Sequence, residues 1–90
     1  MSDALIESFG IAVRQLREAR GWSQEQLAER SDLNRSYVGE IERGRAIASI
    51  VTAHKLARAL ELDVAGLLTR CVQIDQQRMA RHISLVAIAC

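Results

Sequence analysis

Ninety residues carrying a formal charge of +1 make one small domain, with chain enough for a single core and too little for a second. Hydrophobic residues are 49% of the chain, aromatics only 3%, and proline is absent, which points to an all-helical fold cored by Leu, Ile, Val and Ala. No apolar run approaches the ~18 residues that span a bilayer, and the acidic start MSDALIE is unlike a signal peptide, so a cytoplasmic protein without membrane contact is expected. Cys71 and Cys90 lack metal-ligand spacing and read as free, reduced thiols, and His54 and His82 stand alone. Nothing forms a nucleophile–base pair, a phosphate-binding glycine loop or a metal site. Neither an enzyme nor a cofactor is expected.

In chain order, Ser2 or Asp3 caps a first helix that runs to about Arg20 and stops at Gly21. Leu5, Phe9, Val13 and Leu16 recur on it at helical spacing and should face the core. A second helix opens at Ser23, whose S-x-x-Q pattern with Gln26 forms a reciprocal capping box, while Trp22 and Leu27 flank the cap as an apolar staple. Glu29 to Asp32 should form a turn, with Asp32 tolerating a left-handed backbone. Asn34 then caps a third helix that ends at Gly44, with Leu33 and Val38 stapled across the cap. Ser49 caps a fourth helix to about Leu60, with Ile50, Ala53, Leu56, Ala57 and Leu60 inward. Asp63 caps a short fifth helix ending near Leu68, on which Val64, Leu67 and Leu68 close the core. In the tail from Thr69 to Cys90, Val72, Met79, Ile83 and Val86 fit one helical stripe. Its last stretch from Ile83 is also β-like, leaving helix and strand both open.

The second and third helices are too short to stand alone and must pack through Leu27, Leu33, Val38 and Ile41, with Ala28 small enough for a close crossing. That leaves Arg35, Ser36, Gly39 and Glu40 on the outward face of the third helix, the arrangement of a helix-turn-helix pressed into a DNA major groove. Arg35 suits bidentate donation to guanine O6 and N7, with a phosphate clamp as its alternative. Ser36 can reach a base or a phosphate, and Gly39 permits close approach. Glu40 either accepts from cytosine N4 or repels the backbone in wrong registers. Tyr37 packs with its hydroxyl toward a phosphate, and Arg43 and Arg45 suit phosphate contacts. The net charge of +1 lends these assignments no support.

Taken together, VRQLREARG, WSQEQLAERS, LNRSYVGEIERG and HKLARALELDVAGLL give the segment from Phe9 to about Leu68 a pattern that resembles the XRE family, the helix-turn-helix regulators of the phage lambda repressor and Cro type. The resemblance implies a compact five-helix lambda-repressor-like DNA-binding domain over residues 1–68, with the helix-turn-helix at helices 2 and 3, followed by a C-terminal tail over residues 69–90. It implies a transcriptional regulator that binds double-stranded DNA sequence-specifically, as a homodimer on a partly palindromic operator. It implies an ion pair between Arg17 and Glu42, and DNA-backbone contacts from Ser23 and Gln24, the latter also bracing the third helix. In relatives the dimer contact lies around the fifth helix, which assigns Val64, Leu67 and Leu68 to it. The tail extends that contact through Val72, Met79, Ile83 and Val86.

Two departures from the family pattern stand out. Asp32 occupies a corner that is commonly glycine, and Ala46-Ile47-Ala48 replaces a polar Asn-Pro pair, so that Ile47 packs inward or joins a subunit contact. NRSYVGEIERG looks closest to restriction–modification controllers and general regulators of the family. An antitoxin with a toxin partner, and a protein-interaction module without DNA binding, are the competing readings. A polymerase contact is left open.

Overall fold

The computed structural model describes the backbone of residues 2–89 and the side chains of residues 3–83. It contains five helices: α1 (Ser2–Ala19), α2 (Gln24–Ser31), α3 (Arg35–Glu42), α4 (Ile50–Ala59) and α5 (Val64–Ala89). Capping by Ser2 lies outside the described side chains. The other starts are set by side chains that satisfy orphan N–H groups. Ser23 Oγ accepts from the Gln26 N–H at 3.1 Å while Gln26 Oε1 accepts from the Ser23 N–H at 2.8 Å. Asn34 Oδ1 accepts from Ser36 at 2.7 Å, Ser49 Oγ from Thr52 at 3.1 Å and Asp63 Oδ1 from Gly66 at 2.6 Å.

The helix ends repeat one device. Gly21, Asp32, Gly44 and Glu61 each take a left-handed backbone after α1, α2, α3 and α4, with φ of 70°, 56°, 72° and 61°. The N–H one residue further on reaches back to the carbonyl five residues earlier, as in Leu33 to Ala28 at 2.8 Å and Leu62 to Ala57 at 2.7 Å. Helix α2 therefore continues to Ser31, and the expected turn from Glu29 shrinks to Asp32 and Leu33.

Leu27, Val38, Ile41, Leu56 and Leu67 are fully buried and tie the helices together. Leu5 and Ile50, expected in the core, are 48% and 77% exposed. The inward face of α1 is instead made of smaller residues, Ser8, Gly10, Ala12 and Val13, which let it lie close to α3 and α5. The closest approach is at Gly10. A Cβ there would overlap the carbonyl oxygen of Ile41 and stand 2.8 Å from that of Glu42, so backbone meets backbone where α1 crosses α3.

Helix α5 does not end near Leu68. No glycine or proline follows Gly66, and the helix runs on to Ala89, which also decides helix over strand. Its buried stripe is Leu67, Cys71 and Ile74, one helical face away from the expected Val72, Met79 and Ile83, which are 45%, 58% and 62% exposed. Cys71 and Ile74 join the core, so the core extends past Leu68. Leu67 is fully buried within its own subunit and has no surface for a partner, Val64 is half-buried, and Val86 lies outside the described side chains.

Helix α5 packs antiparallel on α1. Arg70 Nη2 donates to Gln15 Oε1 at 3.0 Å, and Arg78 Nη2 donates to Glu7 Oε1 at 2.7 Å. Between these, the buried Ser8 hydroxyl donates to Asp75 Oδ1 at 2.9 Å and accepts from Arg78 Nη1 at 2.8 Å, so its polar atom is satisfied. Arg78 also reaches the Ala4 carbonyl at 3.3 Å, only two residues from the start of α1, so the end of α5 outruns α1. Among the described residues no helix is long and apolar enough to cross a membrane.

Gly10→Ala should destabilise the protein by about 1–3 kcal/mol in urea unfolding, although alanine is the better helix former, because the added methyl drives α1 off α3. Asp32→Gly should raise stability by up to about 1 kcal/mol in the same measurement, since a left-handed residue with a Cβ costs ~1–2 kcal/mol and the gain is partly offset by the freer unfolded chain.

Candidate nucleic-acid interface

The helix-turn-helix is locked by a polar cluster beneath it. Arg17, on the last turn of α1, donates from Nε to Glu42 Oε2 at 2.7 Å and from Nη2 to Oε1 at 3.0 Å, a two-pronged pair. Its remaining nitrogen Nη1 donates to the Trp22 carbonyl at 2.7 Å in the α1–α2 corner. Gln24 Nε2, on the first turn of α2, also donates to Glu42 Oε1, at 3.0 Å. One carboxylate at the end of α3 thus collects α1 and α2. Arg17 and Glu42 are 9% and 8% exposed, so desolvation is substantial and the hydrogen bonds must offset it. The hydrogen bond to Glu42 outweighs that desolvation and raises the guanidinium pKa above its ordinary value. Trp22 is flanked by guanidinium groups, with Arg30 at 4.4 Å and Arg20 at 5.3 Å from the ring centre.

Above this cluster lies the outward face of α3. Gln24, Arg35, Ser36, Glu40 and Arg43 surround a polar hollow floored by Gly39. Gly39 is buried and offers space, not a surface of its own: a Cβ there would sit 3.3 Å from both terminal nitrogens of Arg43 and 3.4 Å from Gln24 Oε1. Arg43 Nη2 pairs with Glu40 Oε2 at 3.0 Å across it. Arg35, Ser36 and Arg45 are exposed, and among the described residues neither Arg35 nor Arg45 has a carboxylate within ion-pair distance. Ser23, at the rim, keeps its oxygen on the Gln26 N–H. Tyr37 is half-buried and packs on the core, and its hydroxyl lies 3.4 Å from both the Ile47 carbonyl and Thr52 Oγ1.

Glu7, Glu18, Glu61 and Asp32 lie against Arg78, Arg14, Arg20 and Lys55. Arg35 and Arg45 make no such pair, and among the described acids neither do Asp3, Glu25, Glu29, Asp63 and Asp75. That distribution cannot be read from a sum over the chain.

On another side, an apolar groove of about 430 Å³ is lined by Leu5, Phe9, Ile47, Ile50, Leu68 and Val72, among others. Ile47 is 74% exposed on its rim and does not pack inward. Sequence reasoning passed over Gly10 and Glu61. An isolated glycine inside a helical pattern was the available sign of the first. The second carried none, because glutamate rarely adopts a left-handed backbone.

The helix-turn-helix family profile matches residues 13–67. The chain is 47% identical over 58 residues to the control protein C.SmaI of Serratia marcescens, covering 64% of this chain and 69% of that protein. Among solved structures, the restriction-modification controller protein C.AhdI from Aeromonas hydrophila is similar at 48% identity and a TM-score of 0.67, over 69% of this chain and 94% of its own. The clp gene regulator ClgR from Corynebacterium glutamicum is similar at 30% identity and a TM-score of 0.84, over 93% of this chain and 88% of its own. At that coverage the likeness extends past Leu68 into the long α5.

Glu42→Ala should cost about 3–5 kcal/mol in urea unfolding, because Arg17 would be left buried without its carboxylate, whereas the double change Arg17→Met with Glu42→Leu should cost far less.

Proposed function

Because the chain belongs to the helix-turn-helix family of DNA-binding transcriptional regulators, not enzymes, and is related to restriction-modification controller proteins, we propose that it is a controller-type regulator that acts in the cytoplasm as a homodimer on a partly palindromic duplex operator. The observation that carries this reading is the outward face of α3, where Arg35 stands exposed without a carboxylate partner beside a polar hollow. Of the side chains around that hollow, Gln24 is anchored from below by its hydrogen bond to Glu42. Two subunits would set their α3 helices into successive major grooves, ~34 Å apart. Arg35 reads a guanine edge, Ser36 a base or phosphate, and Arg43, Arg45, Ser23 and Gln24 hold the backbone. Tyr37 serves mainly to pack, which reserves its hydroxyl for the backbone at most.

Glu40 has two jobs in this reading. It holds Arg43 over Gly39 in the free protein, and on DNA it either accepts from cytosine N4 or penalises a phosphate placed too close. Glu40→Gln separates these: loss of preference at one position marks the first, and tighter binding to every duplex marks the second.

Binding sites selected from a random duplex pool provide the substrate for the main test. Arg35→Ala should reduce discrimination between selected and random duplex by about 1–3 kcal/mol, while Arg45→Ala and Arg43→Ala should weaken both alike and lower the salt slope by about one. Failure of the unaltered protein to retain any duplex at low ionic strength would instead make it an interaction module on the same scaffold.

A further inference from the structure

We infer that Gln24 is a base-reading residue, whose side-chain oxygen accepts from the exocyclic amino group of an adenine or a cytosine in the major groove. The inference rests on the DNA-binding role proposed above and names one atom that would supply its sequence preference.

The polarity of the Gln24 amide is set by what lies beneath it. Nε2 donates to Glu42 Oε1 at 3.0 Å, and the same oxygen takes Arg17 Nη2 at 3.0 Å. The Glu42 side chain is buried and paired with a guanidinium, and a carboxylate in that state only accepts. Turning the amide over would break its hydrogen bond and set oxygen against oxygen at a site with little water to screen them. One orientation is therefore kept, with the nitrogen spent inward and the oxygen left over.

That oxygen looks into the polar hollow on α3. Oε1 lies 3.4 Å from where a Cβ on Gly39 would stand, and the bare glycine leaves room beside it. No described residue donates to Oε1. Arg43, which flanks the same hollow, is instead taken up by Glu40 at 3.0 Å. Among the described residues no buried side-chain oxygen lacks a partner, so this unpartnered one is open to the outside.

A duplex offers few partners for such an atom. Phosphate oxygens only accept, and they repel it. On the major-groove edge adenine N6 and cytosine N4 are the donors, whereas thymine O4 and guanine O6 and N7 accept. An outward acceptor thus meets an amino group or nothing. Every base pair carries one such group on one strand, so Gln24 would take adenine or cytosine at its position and reject thymine or guanine. Arg35, which carries donors only, asks the opposite of its own base. The phosphate contact of Gln24 falls to its main-chain N–H, the first of α2, which has no acceptor within the helix.

The test compares the unaltered protein with Gln24→Ala on duplexes selected from a random pool. Gln24→Ala should lose its preference at one position, that position should hold adenine or cytosine, and affinity for the preferred base should fall about three- to tenfold, the worth of one hydrogen bond. In the same position, purine lacks the amino group of adenine and 2-pyrimidinone lacks that of cytosine. Either replacement should weaken the unaltered protein by the same factor and leave Gln24→Ala unaffected, so that the two losses do not add.

Equal weakening of every duplex by Gln24→Ala, with no position singled out, would make Gln24 a backbone contact or a brace and overturn the inference. A singled-out thymine or guanine would overturn it too, because the amide would then be presenting its nitrogen. So would indifference of the unaltered protein to removal of the amino group at every adenine and cytosine of the selected site, a measurement that needs no variant. Each of these outcomes leaves the regulatory reading standing. Failure of the unaltered protein to retain any duplex sinks both.

Discussion

The carboxylate of Glu42 is the junction on which the helix-turn-helix depends. It closes α3, receives both prongs of Arg17 from α1, and takes a further hydrogen bond from Gln24 on α2. Two eight-residue helices have little stability of their own, and burial of a few aliphatic side chains leaves their mutual angle loosely defined. Directional bonds from three helices to one group remove that freedom. Such a buried pair adds little net stability, since desolvation consumes most of the Coulombic gain. Its effect is on geometry.

The rest of the domain is economical in the same sense. Four of its helices end in the same left-handed closure, and four are opened by a side-chain cap. Connections are accordingly short, and little polar backbone is left to be satisfied elsewhere. No buried side-chain nitrogen or oxygen among the described residues lacks a partner. The one buried hydroxyl on α1, Ser8, is used to register α5 through Asp75 and Arg78.

Much of this was legible in the residues because capping is local. Ser23 with Gln26, then Asn34, Ser49 and Asp63, act on amides within three residues, so a linear pattern contains the whole interaction. The outward set on α3 followed from the same boundaries. The pairing of Arg17 with Glu42 was not legible from spacing: 25 residues separate them, and only the resemblance to a known family brought them together. Helix α5 misled for a different reason. It carries two apolar stripes one face apart, Leu67–Cys71–Ile74 and Val72–Met79–Ile83, and which one turns inward is decided by α1 and its Ser8, not by either stripe. Leu5 was misplaced by the same error, since periodicity ranks residues by hydrophobicity while the crossing at Gly10 selects them by size.

That crossing has a bearing on how a duplex would be read. With the backbone of α1 lying directly on the Ile41 and Glu42 carbonyls, α3 has no slack in which to tilt or slide. If α3 is the reading head proposed above, it would not accommodate an ill-fitting groove, and the strain of a poor match would fall on the nucleic acid. Base steps that the protein never touches then contribute through the ease with which they twist or narrow, so flexible and rigid spacers between contacted positions would be told apart without a single hydrogen bond to them.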